Sequence, residues 1–259
     1  MLNKKPTFPS VRGGSGQVRM IEKHSNKKES STRNKLRVWK LVFIALLLAY
    51  SILIAQDLLA PWFLTGDRST CSLLVVDVYN CTDPEILNCP PRKCCIIKGM
   101  SVNDFRRLGS YNADVIIIIT HAFNGSNKLI ALGTSEKNLL MSVLKHPVSS
   151  ICLSQGRVSG TNKSFIAVKP SILLFSRSFN NKTIILLTCY RSGISVFAEK
   201  MIRKGASIVA YPSPENKDLL KEKAEDLVKD LTTAYSRGGL KHTIAMLKSE
   251  GFIVLEKKR

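Results

Sequence analysis

An uncharged apolar run near the amino terminus is the feature that most restricts how this chain can fold. Leu41–Ala55 contains no charged residue, and after Gln56 and Asp57 the apolar character resumes in Leu58–Leu64. About 20 helical residues are needed to cross the hydrocarbon core of a bilayer. The segment 41–64 is therefore predicted to form a transmembrane anchor, with Asp57 near the far membrane interface, where a charge costs little.

Two other interpretations of this segment compete with the anchor. A buried core helix is a poor fit, because a basic tail of forty residues precedes it. A cleaved signal peptide is also a poor fit, because its basic region is normally much shorter and the residues after Ala55 make a poor cleavage site. The two tryptophans, Trp39 and Trp62, flank the segment as in the aromatic belts of membrane proteins. We favour an uncleaved, single-pass anchor.

Charge predicts how the anchor is oriented. Residues 1–40 carry 11 Lys and Arg against 2 acidic residues, and the whole chain has a net charge of +20. This tail has almost no apolar periodicity and is predicted to be disordered. The positive-inside rule places it in the cytoplasm and residues 65–259 outside the cell membrane. The remaining positive charge is scattered rather than gathered with aromatic residues, so nucleic-acid binding is not expected.

Cysteines and glycosylation sequons agree with an external domain. Five of the seven cysteines fall within 71–95, which suggests a disulfide-stapled segment rather than a zinc site, since no CxxC pair or nearby His accompanies them. An odd count leaves one thiol over. The disulfide candidates are Cys71, Cys81, Cys89, Cys94, Cys95 and Cys152, and the Asn-x-Ser/Thr candidates for glycosylation are Asn80, Asn124, Asn162 and Asn181.

Apolar runs alternate with helical patterns over the rest of the chain. The β-branched run Val115–Ile119 is too short for a helix and apolar on both faces, as in a central strand of a parallel sheet. The alternation predicts an α/β sandwich with a mainly parallel sheet. The predicted strands are Leu73–Val78, Val115–Ile119, Ile184–Leu187 and Ser207–Tyr211, and the predicted helices are Asn103–Leu108, Ile194–Lys204, Glu215–Ser236 and Lys241–Ser249.

Two reactive side chains follow predicted strands. His121 comes after Val115–Ile119 with only Thr120 between, and Cys189 comes after Ile184–Leu187 with only Thr188 between. Functional residues of open α/β sheets lie just past the carboxyl ends of strands. If the two strands are neighbours, the imidazole and the thiol leave the same edge, where His can activate Cys as a nucleophile.

The chain resembles the caspase-like (clan CD) cysteine peptidases in two places. One is an apolar strand followed by His and a small residue, and the other is an apolar strand followed by a small residue and Cys-x-x-Ser-Gly. The closest likeness is to the CHAT and gingipain-type branch, with separase a more distant relative. Further similarity lies in Tyr111–Val115, Asn181–Cys189 and Phe197–Val209, within a resemblance covering about residues 71–250. It implies a three-layer caspase-like domain over 65–259, acting on a protein or peptide substrate without a metal or other cofactor.

The resemblance also implies the roles of the site residues. His121 and Cys189 would form a catalytic dyad that cleaves peptide bonds through a thioester, and backbone N–H groups at Ala122 and Cys189 would form the oxyanion hole. The family usually has Gly where this chain has Ala122, which would be strained if the site needs a positive φ. Leu187 gives no support for a basic cleavage preference. Asp77, at the end of the first strand, could line a specificity pocket, but we expect it to be a solvated carboxylate at a strand end.

A different class of function stays open. A catalytically inactive caspase-like module that binds a protein or peptide at the cell surface would also fit, and Ala122 favours it. An anchored surface domain with another fold is a third possibility. The relative positions of His121 and Cys189 discriminate among these, because opposite sheet edges would exclude a dyad.

Overall fold

A computed structural model describes residues 15–63, 71–78, 93–124, 130–157, 164–216 and 223–258. The chain divides into two units, Met1–Ile52 and Leu53–Arg259. The helices are α1 Ser15–Phe63, α2 Val102–Arg107, α3 Leu139–Lys145, α4 Ile194–Arg203 and α5 Ala224–Ser249. The strands are β1 Leu73–Asp77, β2 Cys94–Lys98, β3 Val115–Ile119, β4 Ala122–Asn124, β5 Ile130–Gly133, β6 Leu153–Arg157, β7 Ser164–Val168, β8 Thr183–Leu187, β9 Ile208–Pro212 and β10 Phe252–Glu256.

The described part of the first unit consists of α1 up to Ile52. The stretch Lys35–Ala60 is long and apolar enough to cross a membrane, and it is the only such helix in the described ranges. The helix begins at Ser15, inside the tail that was predicted to be disordered. After Gly16 the tail contains no further glycine and no proline, so nothing interrupts a helix that propagates backward from the apolar segment.

A six-stranded sheet organises the second unit. Its strand order is β10-β9-β8-β3-β1-β2, in which all neighbours are parallel except the antiparallel pair β9 and β10. Strands β1, β3 and β8 are buried along their whole length, as expected for a parallel sheet covered on both faces. The predicted α/β architecture with a mainly parallel sheet is confirmed.

Helices cover both faces of this sheet because successive strand residues point to opposite sides. Ile116 and Ile118 of β3 join the core formed with α2 and α4. Ile117 and Ile119 join the core formed with α5. The predicted strands and the predicted helices at α2 and α4 agree with the structure within one or two residues.

A second sheet of four antiparallel strands, in the order β4-β5-β7-β6, was not predicted. It contributes Leu132, Leu153, Ile166 and Val168 to the core on the α2 and α4 side. Three 3₁₀ turns complete this side of the unit, namely Leu108–Ser110, Ser149–Cys152 and Pro170–Phe175.

The carboxyl-terminal helix differs from the prediction at its start. Helix α5 begins at Ala224 rather than at Glu215, which lies in a turn. Its two predicted parts are present but nearly continuous. Gly239, with φ 63° and ψ −157°, separates them in a conformation that residues other than glycine rarely adopt.

Candidate functional site

His121 and Cys189 lie at the same edge of the parallel sheet. Strands β3 and β8 are parallel neighbours, with Ile119 paired to Leu187. His121 lies two positions beyond Ile119, and Cys189 lies two positions beyond Leu187. The backbone N–H of Thr120 still donates to the carbonyl of Leu187 (3.0 Å), so the pairing continues up to the site. The adjacency expected of these two strands is therefore present.

The second sheet holds the backbone of His121. The carbonyl of His121 accepts a hydrogen bond from the N–H of Gly133 (2.9 Å), the last residue of β5. The hydroxyl of the buried Thr120 donates to the carbonyl of Gly133 (2.8 Å). These contacts fix where the chain leaves β3 and turns into β4, and the sequence pattern gave no signal for them.

The surroundings of His121 favour a neutral imidazole. Burial lowers its pKa below the usual 6.5, and the positive charge of Arg191 lowers it further. A neutral imidazole can accept a proton near neutral pH, as a general base must. Arg191 follows β8 in the same loop as Cys189, so both strands contribute to this electrostatic environment.

Cys189 begins the loop that joins β8 to α4. Its thiol is free, and the residue is 7% exposed. The N–H of the following Tyr190 donates to the carbonyl of Asn216 (3.0 Å), which lies just after β9. Gly193 ends the loop with φ 96°, a left-handed conformation that favours glycine, and α4 begins at Ile194.

Two expectations about neighbouring residues need correction. Asp77, at the carboxyl end of β1 and paired with Ile119, is fully buried rather than solvated. Ala122, which would be strained at positive φ, lies in β4 with no positive φ, so no strain arises there. The carboxyl ends of β1, β3 and β8 thus present a buried carboxylate, an imidazole and a thiol along one edge.

The other predicted sites have different outcomes. Cys152 carries a free, fully buried thiol at the end of a 3₁₀ turn, so it is not among the oxidised residues that we expected. Oxidation of Cys71, Cys94 and Cys95 stays a prediction. Cys94 and Cys95 lie on β2, and Cys71 lies just before β1, the strand that pairs with β2. Cys81 and Cys89 lie outside the described residues.

The sequons are only partly within the described ranges. Asn181 is exposed in a tight turn with φ 64° before β8, and its backbone N–H donates to Gly205 O (2.9 Å). Asn124 belongs to β4. Asn80 and Asn162 lie outside the described residues, and glycosylation at these positions stays a prediction.

A buried polar cluster that the sequence did not predict surrounds Asp57, near the end of α1. The Arg106 guanidinium pairs with its carboxylate, and the Ser149 hydroxyl contacts both carboxylate oxygens (3.2 Å). His146 lies 3.5 Å from Asp57 through Nδ1 and 3.5 Å from Glu136 through Nε2. The signal that could have revealed it is a carboxylate within a helix otherwise apolar enough to cross a membrane, where charges are normally paired.

Opposing influences set the pKa values in this cluster. Burial alone lowers the pKa of His146, but its interactions with Asp57 and Glu136 outweigh burial and raise it above 6.5. Burial alone raises the pKa of Glu136, but bonds from His146, Ser142 and the Val102 N–H bring it down to about 2. The cluster therefore favours a charged imidazole between two carboxylates.

Comparison with known proteins assigns no family to the chain. No protein-family model matches it, and no curated protein sequence matches it. Within the residues that the structure describes, no group of three or more His, Cys, Asp or Glu could hold a metal ion. Function must therefore be argued from the site itself.

Proposed function

We propose that the protein is a membrane-anchored cysteine endopeptidase with a caspase-like domain, in which His121 and Cys189 form the catalytic dyad. One observation carries the proposal: the two residues leave adjacent parallel strands at equivalent positions of the register. His titrates near neutral pH and serves as a general base, and a Cys thiol beside such a base can be activated as a nucleophile. The resemblance to caspase-like peptidases rests on the same residues.

The proposed reaction proceeds in two steps. His121 takes the proton of the Cys189 thiol, and the sulfur attacks the scissile carbonyl carbon. The C–N bond then breaks, the imidazolium protonates the leaving amine, and a thioester remains on Cys189. A water molecule, deprotonated by His121, attacks the thioester and releases a carboxylic acid and the free thiol. Backbone N–H groups at Ala122 and Cys189 would stabilise the oxyanion in both steps.

The lowered pKa of His121 supports the role of base over that of a permanent cation. An imidazole that is neutral before the reaction can accept the thiol proton when substrate arrives. Arg191 would oppose formation of the imidazolium, which favours proton transfer in step with sulfur attack. This mechanism differs from one that stores a thiolate–imidazolium ion pair.

The anchor sets where the enzyme would act. The basic flank before Lys35–Ala60 supports a cytoplasmic tail and an external domain at the cell membrane. An external location would also suit the cysteines and sequons. Substrates would then be peptides or proteins that reach the outer membrane surface.

A binding module without catalysis is the second candidate, and the burial of Cys189 favours it. A side chain that is 7% exposed offers little surface to an incoming peptide. In this alternative the buried thiol contributes to packing at the strand end. Peptide binding would then occur without acylation of the cysteine.

A thiol-directed peptide acylating probe discriminates between the two functions. We expect the full chain in detergent micelles to be labelled at Cys189, with no labelling in Cys189→Ala. The buried thiol of Cys152 provides a matched control, since Cys152→Ala should leave labelling unchanged. Binding of the probe without labelling would support the module, and equal labelling of wild type and Cys189→Ala would remove the nucleophile assignment.

A further inference from the structure

Helix α3 exposes its apolar side chains and buries a polar one. Leu140 is 68% exposed and Leu144 is 53% exposed, and Leu139, Met141 and Val143 are exposed as well. Ser142 is buried, and its hydroxyl donates to the carboxylate of Glu136. A surface helix in water shows the opposite arrangement, with its apolar stripe toward the core. The outer face of α3 therefore fits an apolar environment.

Two neighbouring 3₁₀ turns extend this apolar surface. Ile151 is 73% exposed and Leu174 is 76% exposed. The turns that carry them are joined, because the N–H of Lys169 donates to the carbonyl of Cys152 (2.7 Å). We call the outer face of α3 together with Ile151 and Leu174 the α3 patch. Exposed apolar side chains gathered on elements that are bonded together mark an interaction site.

The last turns of α1 are bonded to the elements that carry the α3 patch. Asp57 Oδ2 accepts hydrogen bonds from the backbone N–H groups of Val148 and Ser149 (2.9 Å each), which lie between α3 and Ile151. Arg106, the partner of Asp57, donates through Nε to the carbonyl of Phe175 (3.2 Å), next to Leu174. Both 3₁₀ turns are thus tied to the helix three residues before the candidate span ends at Ala60.

We propose that the α3 patch lies in the interface of the same bilayer that α1 crosses. The inference rests on the membrane anchor of the proposed function and adds a second contact with lipid. Exposed Lys137 precedes α3 and exposed Lys145 is its last residue. Their ammonium groups can reach lipid phosphates while the apolar side chains enter the acyl region. Interfacial helices bury their apolar face about 5–10 Å into the boundary between headgroups and acyl chains. The contact would hold the domain against the membrane and restrict its tilt.

Depth-dependent quenching of single tryptophans tests the proposal on the full chain in phosphatidylcholine vesicles. In a Trp39→Phe, Trp62→Phe background, tryptophan replaces Leu140 or Ile151, whose exposed positions leave room for the larger ring. Tyr50→Trp, within the candidate span, reports on the anchor. Tyr235→Trp, on α5 at the other face of the sheet, is the matched control. Vesicles contain doxyl-labelled lipid with the spin label either near the headgroup or near the chain end.

We expect the Leu140 and Ile151 reporters to lose emission mainly with the shallow label, and Tyr50→Trp mainly with the deep label. Tyr235→Trp should keep its emission with both. Quenching of Tyr50→Trp without quenching at Leu140 and Ile151 would overturn the lipid contact and leave the anchor intact. No quenching of Tyr50→Trp would overturn the anchor, and the lipid contact with it. Equal quenching of Tyr235→Trp and the patch reporters would also overturn the lipid contact of the α3 patch.

Discussion

Asp57 forms an ion pair with Arg106 inside the protein, with 2.5 Å between Oδ1 and Nη1, although Asp57 lies in the stretch apolar enough to cross a membrane. The Asp57 side chain is fully buried and that of Arg106 is 1% exposed. We expected Asp57 to lie near the far membrane interface, where a charge costs little, and within the protein its charge is neutralised by Arg106. The pair fixes the last turns of α1 to α2.

Removing one member of this pair should destabilise the second unit strongly. We expect Arg106→Met to lower the free energy of unfolding by about 3–5 kcal/mol, because it leaves a buried carboxylate without its counter-charge. Urea unfolding of the full chain in micelles measures the effect. Arg203→Met is the matched control, since Arg203 forms an exposed 3.9 Å pair with Glu199 and should change stability by no more than about 0.5 kcal/mol. Equal effects of the two changes would contradict the prediction.

His146 should make stability decrease as the pH rises above neutral. Its folded pKa is raised above the unfolded value of 6.5, so the stabilisation is complete below pH 6.5 and is lost as the pH passes the raised value. Unfolding free energies of wild type and His146→Gln, measured from pH 5.5 to 9, should converge toward the alkaline end. Subtracting the two profiles removes the contribution of His121, whose lowered pKa has the opposite effect. A constant difference across the range would contradict the ionic role of His146.

The sequence predicted the parallel sheet well because its strands are short apolar runs with one physical interpretation. Strand β3 was predicted at its observed limits, Val115–Ile119, since a run of five β-branched residues is too short for a helix and is apolar on both faces. The second sheet was missed because its strands are recognisable only from their pairing with one another, which the local sequence does not indicate. Gly133, for example, pairs with Ala167, and nothing local to either residue indicates that partnership.

The candidate site was predictable only in part, for the same reason. His121 and Cys189 could be singled out because each follows a recognisable strand. The influence of Arg191 and the support from Gly133 depend on how loops meet in space. The pair of Asp57 and Arg106 joins residues far apart in sequence, and neither residue alone distinguishes a buried partner from a solvated one.

The topology of the anchor can be tested on intact cells. Because the flank before the span carries most of the local positive charge, we expect external protease to digest residues 65–259 and to leave the tail protected. Immunodetection of tags at the two ends after proteolysis measures this. Permeabilised cells are the control and should lose both tags. Protection of the carboxyl-terminal tag in intact cells would mean an inverted orientation.

Replacing Arg191 should shift the pH dependence of Cys189 reactivity. The pKa of His121 is lowered by burial and then by Arg191, so Arg191→Gln should raise it part of the way toward 6.5. If His121 is the base, the fall in Cys189 alkylation on acidification should then begin at a higher pH. The comparison variant is Arg203→Gln, on the exposed face of α4, which should leave the profile unchanged. An unchanged profile in Arg191→Gln would show that His121 does not control the thiol.

Loss of the imidazole itself gives the most direct test of the dyad. Without a base, Cys189 depends on its own ionisation, so His121→Ala should slow alkylation strongly near neutral pH and much less at high pH, where any thiol ionises. Acylation by a peptide probe should fall on the order of a hundredfold, the usual contribution of a general base. His242→Ala is the control, because His242 is exposed on α5 and its Nδ1 contacts the Gly238 carbonyl (3.1 Å). If His121 has only a structural role, its loss would lower the unfolding free energy and leave the pH profile of Cys189 unaltered. That result would favour the binding module.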